Sequence, residues 1–198
     1  DNSDHRRGIV RFYLQCELYD RAEREIAAIA SDFPELAEQM TELRRELRQL
    51  QAQQLFNELK LRQSAGQHGL TYSLSKKFPT EDVNAALLQQ VRGMTTEYDQ
   101  ALERADRIKL LLGELQAKLT KSEQIAAVAP IRTEMTEKLS YDSLDRFKPF
   151  LEQVQDPKRP ADETLALALS GWVLGPAYAV DDLDLSIRLW KARELILE

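Results

Sequence analysis

Cysteine is nearly missing from this chain, with one residue, Cys16, in 198. A lone thiol cannot close an internal disulfide, so no covalent staple holds the fold, and the redox compartment stays open. Glycine and proline number seven each. Turns are therefore few, and the regular elements joining them must be long. The glycines are scattered, so a glycine-rich phosphate loop is excluded and nucleotide binding has no support. A basic excess is missing too: 27 Lys and Arg face 33 Asp and Glu, for a net charge of −6 and a pI near 5.2. Nucleic-acid surfaces cluster positive charge, so that class of partner is excluded. The short basic groups at 44–48 (RRELR) and at Lys76 and Lys77 sit among acidic neighbours and read as solvated helix surface.

Chemistry-bearing patterns are equally thin. The two histidines, His5 and His68, are not at metal-ligand spacing from each other or from Cys16. His5 falls in a frayed terminus, His68 opens a short helix, and Cys16 sits on an apolar helical face as a packed core residue. No Gly-x-Ser-x-Gly occurs; Ser170 in LALSGWVLG comes nearest but has no strand before it. Asp181, Asp182 and Asp184 lack the alternating ligands and distal Glu of a calcium loop, and suit the start of a helix instead. The expectation is no catalytic residue, no metal and no cofactor. The uncharged run 164–180 holds 17 residues, with Gly171 and Gly175 in small-xxx-small spacing. A membrane span needs about 20 residues and favours basic flanks. This run is broken by Gly-Pro and flanked by acidic residues, so it reads as a buried core helix.

What remains is helix. IVRFYLQCELY at 9–19 is dense enough for a buried helix, and Ala22, Ile26, Ile29 and Ala30 mark a second packed on it. Phe33-Pro34 ends that helix and starts another. Met40, Leu43, Leu47 and Leu50 then form a heptad seam that slips register to Leu55 and Leu59, in a long helix ending near Ala65-Gly66. HGLTYSLSKKFP at 68–79 gives a short helix closed by a second Phe-Pro. From Val83 through Leu87, Val91, Met94, Tyr98, Ala101, Ala105, Ile108, Leu112 and Leu115 to Leu119, steps of four and three run over 37 residues. At helical rise that is roughly 55 Å of one buried seam. Thr120 and Glu123 have capping-box spacing for a return helix carrying Ile125, Val128, Met135 and Leu139 and kinked at Pro130. Ser143 caps an amphipathic segment with Leu144, Phe147, Phe150, Leu151 and Val154 inward. DPKRPAD is a loop, Asp162 caps an apolar helix ending at Gly175-Pro176, and Asp181 or Asp182 starts a last helix with Leu183, Ile187 and Trp190 on one side.

The stretch 18–36, LYDRAEREIAAIASDFPEL, with the helix before it, resembles a tetratricopeptide repeat. Tyr13 lies in its first helix, Tyr19-x-x-Ala22 opens the second, Ile26 and Ile29 take packing positions and Pro34 closes it. The likeness covers residues 6–34 well and 55–79 poorly. Val10 stands where a small residue is usual, Arg6 where a large aromatic is usual, and the second helix of the echo is about one turn shorter. LSYDSLDRF, TLALALSGWVLG and DLSIRLWKARELIL look similar, more loosely, to the helical region preceding an α/β-hydrolase-type peptidase domain in some large bacterial proteins.

The expected fold is all-α, an elongated helical-repeat or helical-hairpin array with long antiparallel helices. It forms one domain over 1–198, with a helix pair at 8–34, long helices at 35–119 and a C-terminal subregion at 120–198. The expected function is a non-catalytic scaffold for a protein or peptide partner, or for other domains of the same chain. In the tetratricopeptide reading Arg7, Arg11 and Gln15 project into the concave face, suited to an acidic peptide or a chain carboxylate. The alternative is an accessory helical region of a larger secreted or envelope hydrolase whose catalytic domain lies C-terminal. A monomer is expected, with self-association through the 83–119 seam as the competing state. The chain starts at Asp1 rather than Met, the mark of a processed or excised polypeptide.

Overall fold

The computed structural model describes residues 2–156 and 158–174, and every regular element among them is helical. Two compact units divide the chain, Asp1–Thr96 and Glu97–Glu198, and the division falls inside a helix.

In the first unit, α1 (Asn2–Gln15) and α2 (Tyr19–Asp32) are joined by a three-residue turn. The turn is tight because Glu17 adopts the left-handed region at φ 56°, and Leu18 N–H donates back to Tyr13 O at 2.8 Å. A side chain in that conformation costs about 1 kcal/mol, offset here by satisfying the carbonyls at the end of α1. Val10, Ala22, Ile26 and Ile29 are completely buried where the helices meet, joined by Met40 and Leu47 of α3 (Ala37–Ser64). Arg6 holds the pair from outside, donating to Glu25 at 2.6 Å and to Asp32 at 2.5 Å. Where the repeat would place a large aromatic, this chain therefore places an ion-pair clamp.

Phe33-Pro34 acts as expected. A 3-10 turn, Pro34–Leu36, separates α2 from α3. The other end of α3 is closed by Gly66 at φ 75°, with Gln67 N–H on Arg62 O at 2.9 Å. That backbone is the one L side chains avoid, so a glycine belongs there. α4 (His68–Ser75) follows and is six residues shorter than α2, eight against fourteen, a larger difference than the one turn expected.

The heptad seam of α3 needs correcting at Leu50, which is 49% exposed rather than buried. Met40, Leu43 and Leu47 face α1 and α2, whereas Ala52, Leu55, Phe56 and Leu59 join Phe78, Leu87 and Val91 in a second cluster. At 100° per residue the two stripes are rotated by roughly 140°. The slip is therefore the point where α3 changes partners, and Leu50 falls between its two covers.

α5 (Ala85–Ala117) begins on Asn84, whose Oδ1 accepts Leu87 N–H at 2.8 Å. Its seam is buried or half-buried at every predicted position, although Val83 and Leu119 lie just outside the helix itself. The first half supplies Leu87 and Val91 to the first unit. The second half supplies Ala101, Ala105, Ile108, Leu112 and Leu115 to the core of the second.

In that second unit, α6 (Ser122–Lys138) contributes Val128 and Met135, with Ile131 and Leu139 at the edge of the core. Ile125 does not join them: it is exposed, in the first turn and about 75° off the mean direction of the other four. Nor does Thr120 cap α6. The residue before that helix is Lys121, with extended backbone and no side-chain cap, because α5 tightens onto buried Leu119 and delays the new start. Pro130 lies inside α6.

A 3-10 segment, Tyr141–Phe147, leads into α7 (Lys148–Gln153). Ser143 is not its cap: Ser140 is, and buried Ser143 is the third residue of the segment, forming a capping box with it. Its Oγ accepts Ser140 N–H and donates to Ser140 O, both at 2.9 Å. Phe147 and Phe150 are fully buried against α8 (Ala161–Leu174), each adding about 2–3 kcal/mol of burial. α8 starts two residues earlier than a cap at Asp162 predicts, so Asp162 lies in its first turn, its Oδ1 accepting Glu163 N–H at 3.0 Å. The expectations for Gly175-Pro176, Asp181, Asp182, Asp184, Leu183, Ile187 and Trp190 lie outside the described residues.

Candidate interaction surface

The three residues assigned to partner contact, Arg7, Arg11 and Gln15, sit at steps of four along α1. Val10 fixes the helix's rotation by being wholly buried, which turns Arg11 and Gln15 outward, both exposed. Arg7 is half-buried and its guanidinium pairs with Asp4 one turn earlier, so only part of its charge is available. Missing from the sequence reading was Phe12, which lies beside Arg11 and is 57% exposed. The signal for it was present: Phe12 is two residues from Val10, which on a helix puts the two side chains on well-separated sides. It was hidden because IVRFYLQCELY is apolar nearly all round. Cys16 follows Phe12 by one turn and is exposed, not a core residue as predicted. The left-handed turn at Glu17 follows directly, so Cys16 lies just past the end of α1. His5 also departs from expectation, lying within α1 rather than in a frayed end, with its side chain exposed.

A second surface lies on α3. Glu42, Arg45, Glu46, Gln49 and Leu50 form one wall of an open groove of about 630 Å³, and Asp82, Val83 and Asn84 form the other. Asp82 adopts the left-handed region at φ 57°, and its carboxylate is held by Arg48 at 2.7 Å. Arg48 also takes Glu81 at 2.7 Å, and Gln49 Oε1 accepts Asn84 N–H at 2.8 Å. The RRELR stretch is thus partly an ion-pair clamp on the 81–84 turn, rather than wholly solvated. Hydrogen bonds donated to Glu81 and then to Asp82 raise the Arg48 guanidinium above its usual pKa.

In the second unit, Tyr98 and Tyr141 stack with ring centroids 5.7 Å apart and planes 5° off parallel. Tyr141 OH donates to Glu97 Oε1 at 2.6 Å. That bond first, then burial, pushes the phenol up to about 12. A cleft of about 250 Å³ opens beside the pair, bordered by Leu102, Asp106, Lys109, Leu139 and Leu144.

No group of three or more His, Cys, Asp or Glu that could hold a metal occurs among the described residues. Ser170 is buried in α8 with its Oγ donating to Leu167 O at 2.8 Å, the bond of a helix-interior serine. Among the described residues no helix is long and apolar enough to cross a membrane, and the run 164–180 is described only to Leu174. Of the three strings similar to the region preceding a peptidase domain, DLSIRLWKARELIL lies outside the described residues. Comparison with known protein families, with curated proteins and with solved structures finds no match to this chain.

Proposed function

We propose that this chain is a non-catalytic helical scaffold that holds or recognises another protein, with the outward side of α1 as its contact face. The observation that carries the reading is Phe12. α1 buries the smaller Val10 completely and leaves the larger aromatic 57% exposed beside Arg11. Aromatic residues and arginine are among the types enriched at protein interfaces relative to the rest of the surface. Gln15, one turn beyond Arg11, adds an amide able to donate and accept. The partner that suits these groups is an acidic peptide or a chain carboxylate with an apolar residue beside it. Arg7 contributes less, since Asp4 already holds it. The helical-repeat arrangement belongs to the same proposal: α1, α2, α3 and α4 pack in succession, as repeat helices do.

The test is affinity capture with the whole chain as bait, beside Arg11→Glu and Phe12→Asp variants that keep the wild-type helical circular dichroism. A protein retained by the wild type and lost with both variants is expected. Retention of the same proteins by all three baits would sink the assignment of the α1 face.

A further inference from the structure

We propose that the groove between α3 and the 82–84 turn receives a basic amphipathic helix of a partner protein, an aliphatic side chain seated on Leu50 and Val83. The inference rests on the reading of the chain as an interaction module and assigns it a second surface, apart from the α1 face. Leu50 belongs to the stripe of Met40, Leu43 and Leu47 by spacing, yet the register slip carries α3 away before anything covers it. An apolar stripe thus runs out of its intramolecular cover directly into a groove, where Val83 faces it. The opposite wall is preformed, since Arg48, Gln49 and Asn84 tie the turn at both ends. Little ordering entropy is left for a partner to supply.

Charge selects the kind of helix. Glu42, Glu46 and Asp82 line the groove with Arg45, which is shared between Glu42 at 3.1 Å and Asp82 at 3.9 Å, and Asp82 is also held by Arg48 at 2.7 Å, so Glu46 is the carboxylate left over. Glu46 makes no ion pair among the described residues and is exposed. Lysine or arginine one turn from the aliphatic anchor would meet Glu46 and the outer edge of Glu42, while an acidic helix would be repelled. Anchors at i and i+3 or i+4 with basic flanks are the ordinary vocabulary of helix-in-groove recognition.

The experiment titrates the whole chain with a synthetic leucine–lysine amphipathic helical peptide, and separately with its leucine–glutamate counterpart, while methyl resonances are followed by NMR. The lysine peptide should shift Leu50 and Val83 in a saturable way, and the glutamate peptide should not. Leu50→Asp and Glu46→Lys should each weaken binding about tenfold. Leu110→Asp, at an exposed site on α5 in the second unit, should leave it unchanged. Equal binding by the wild type and both groove variants would mean general adsorption to an acidic protein and would overturn the proposal. Shifts at Leu50 and Val83 on concentrating the chain alone would assign the groove to a second copy, and would overturn it as well. Arg11→Glu separates the two readings: it abolishes capture at the α1 face if that reading holds, and leaves the peptide titration untouched in either case.

Discussion

Single residues here are decided by what approaches them. Gly171 sits in α8 where a Cβ would lie 2.4 Å from the carbonyl oxygen of Arg146, a backbone atom that cannot swing aside. Gly171→Ala should therefore destabilise the chain by about 1–3 kcal/mol, read as a lowered urea midpoint at constant slope. Gly93→Ala is the contrast. Nothing lies within 4 Å of a Cβ there, and a helix-interior alanine should stabilise by about 0.5–1 kcal/mol. Tyr141 is decided by Glu97 in the same way. Its neutral phenol is the donor, so the bond's contribution to stability is complete below the ordinary value of 10 and is lost as pH rises through about 12. Glu97→Ala should bring the Tyr141 titration back toward 10, measured from its ring carbon shift; a titration still near 12 would show that burial, not the carboxylate, sets it.

At the scale of elements, α3 shows why a heptad pattern is not a buried seam until its neighbours are known. Leu47 and Leu50 are three residues apart and alike in chemistry, yet the first is 1% exposed and the second 49%. Leu47→Ala should cost about 2–5 kcal/mol because it opens a cavity in the α1–α2–α3 core. Leu50→Asp should leave the unfolding midpoint close to wild type. Equal losses from the two would mean that the stripe is continuous after all. The caps teach the same lesson in reverse. Residue type and spacing point to Thr120, Ser143 and Asp162 as caps, and each lies one to three residues from the position that precedes its helix. The precise start is set by how the preceding chain exits a core, as Leu119 does at the end of α5.

For the whole chain, one helix supplies side chains to separate cores in two units, and Trp172 packs against the second of those cores. In a Trp190→Phe background the fluorescence of Trp172 therefore reports the second core, whereas helical circular dichroism reports both. Ile108→Ala, in the second core, should lower the fluorescence midpoint more than Leu59→Ala, which opens the first. Equal shifts from the two substitutions would show that the units unfold as one. The Val83–Leu119 seam is occupied inside each unit, so it does not call for a second chain to cover it.

The amino-acid sequence by itself determined that the described residues are helical and, to within a few residues, where most of their helices run, although α1 spans Asn2–Gln15 rather than 9–19. Periodicity of apolar residues, Phe-Pro breaks and the αL glycine at Gly66 are local signals, readable without knowing any neighbour. It also disclosed the register slip in α3, since a slip is a property of spacing. Tertiary structure alone decided what the slip means, which of Val10, Phe12 and Cys16 faces water, and that RRELR clamps a turn some 35 residues away. The reason is physical: helical spacing records angles around one axis, whereas burial depends on which other axes lie alongside. A helix apolar on every side leaves that choice open until its partners close around it.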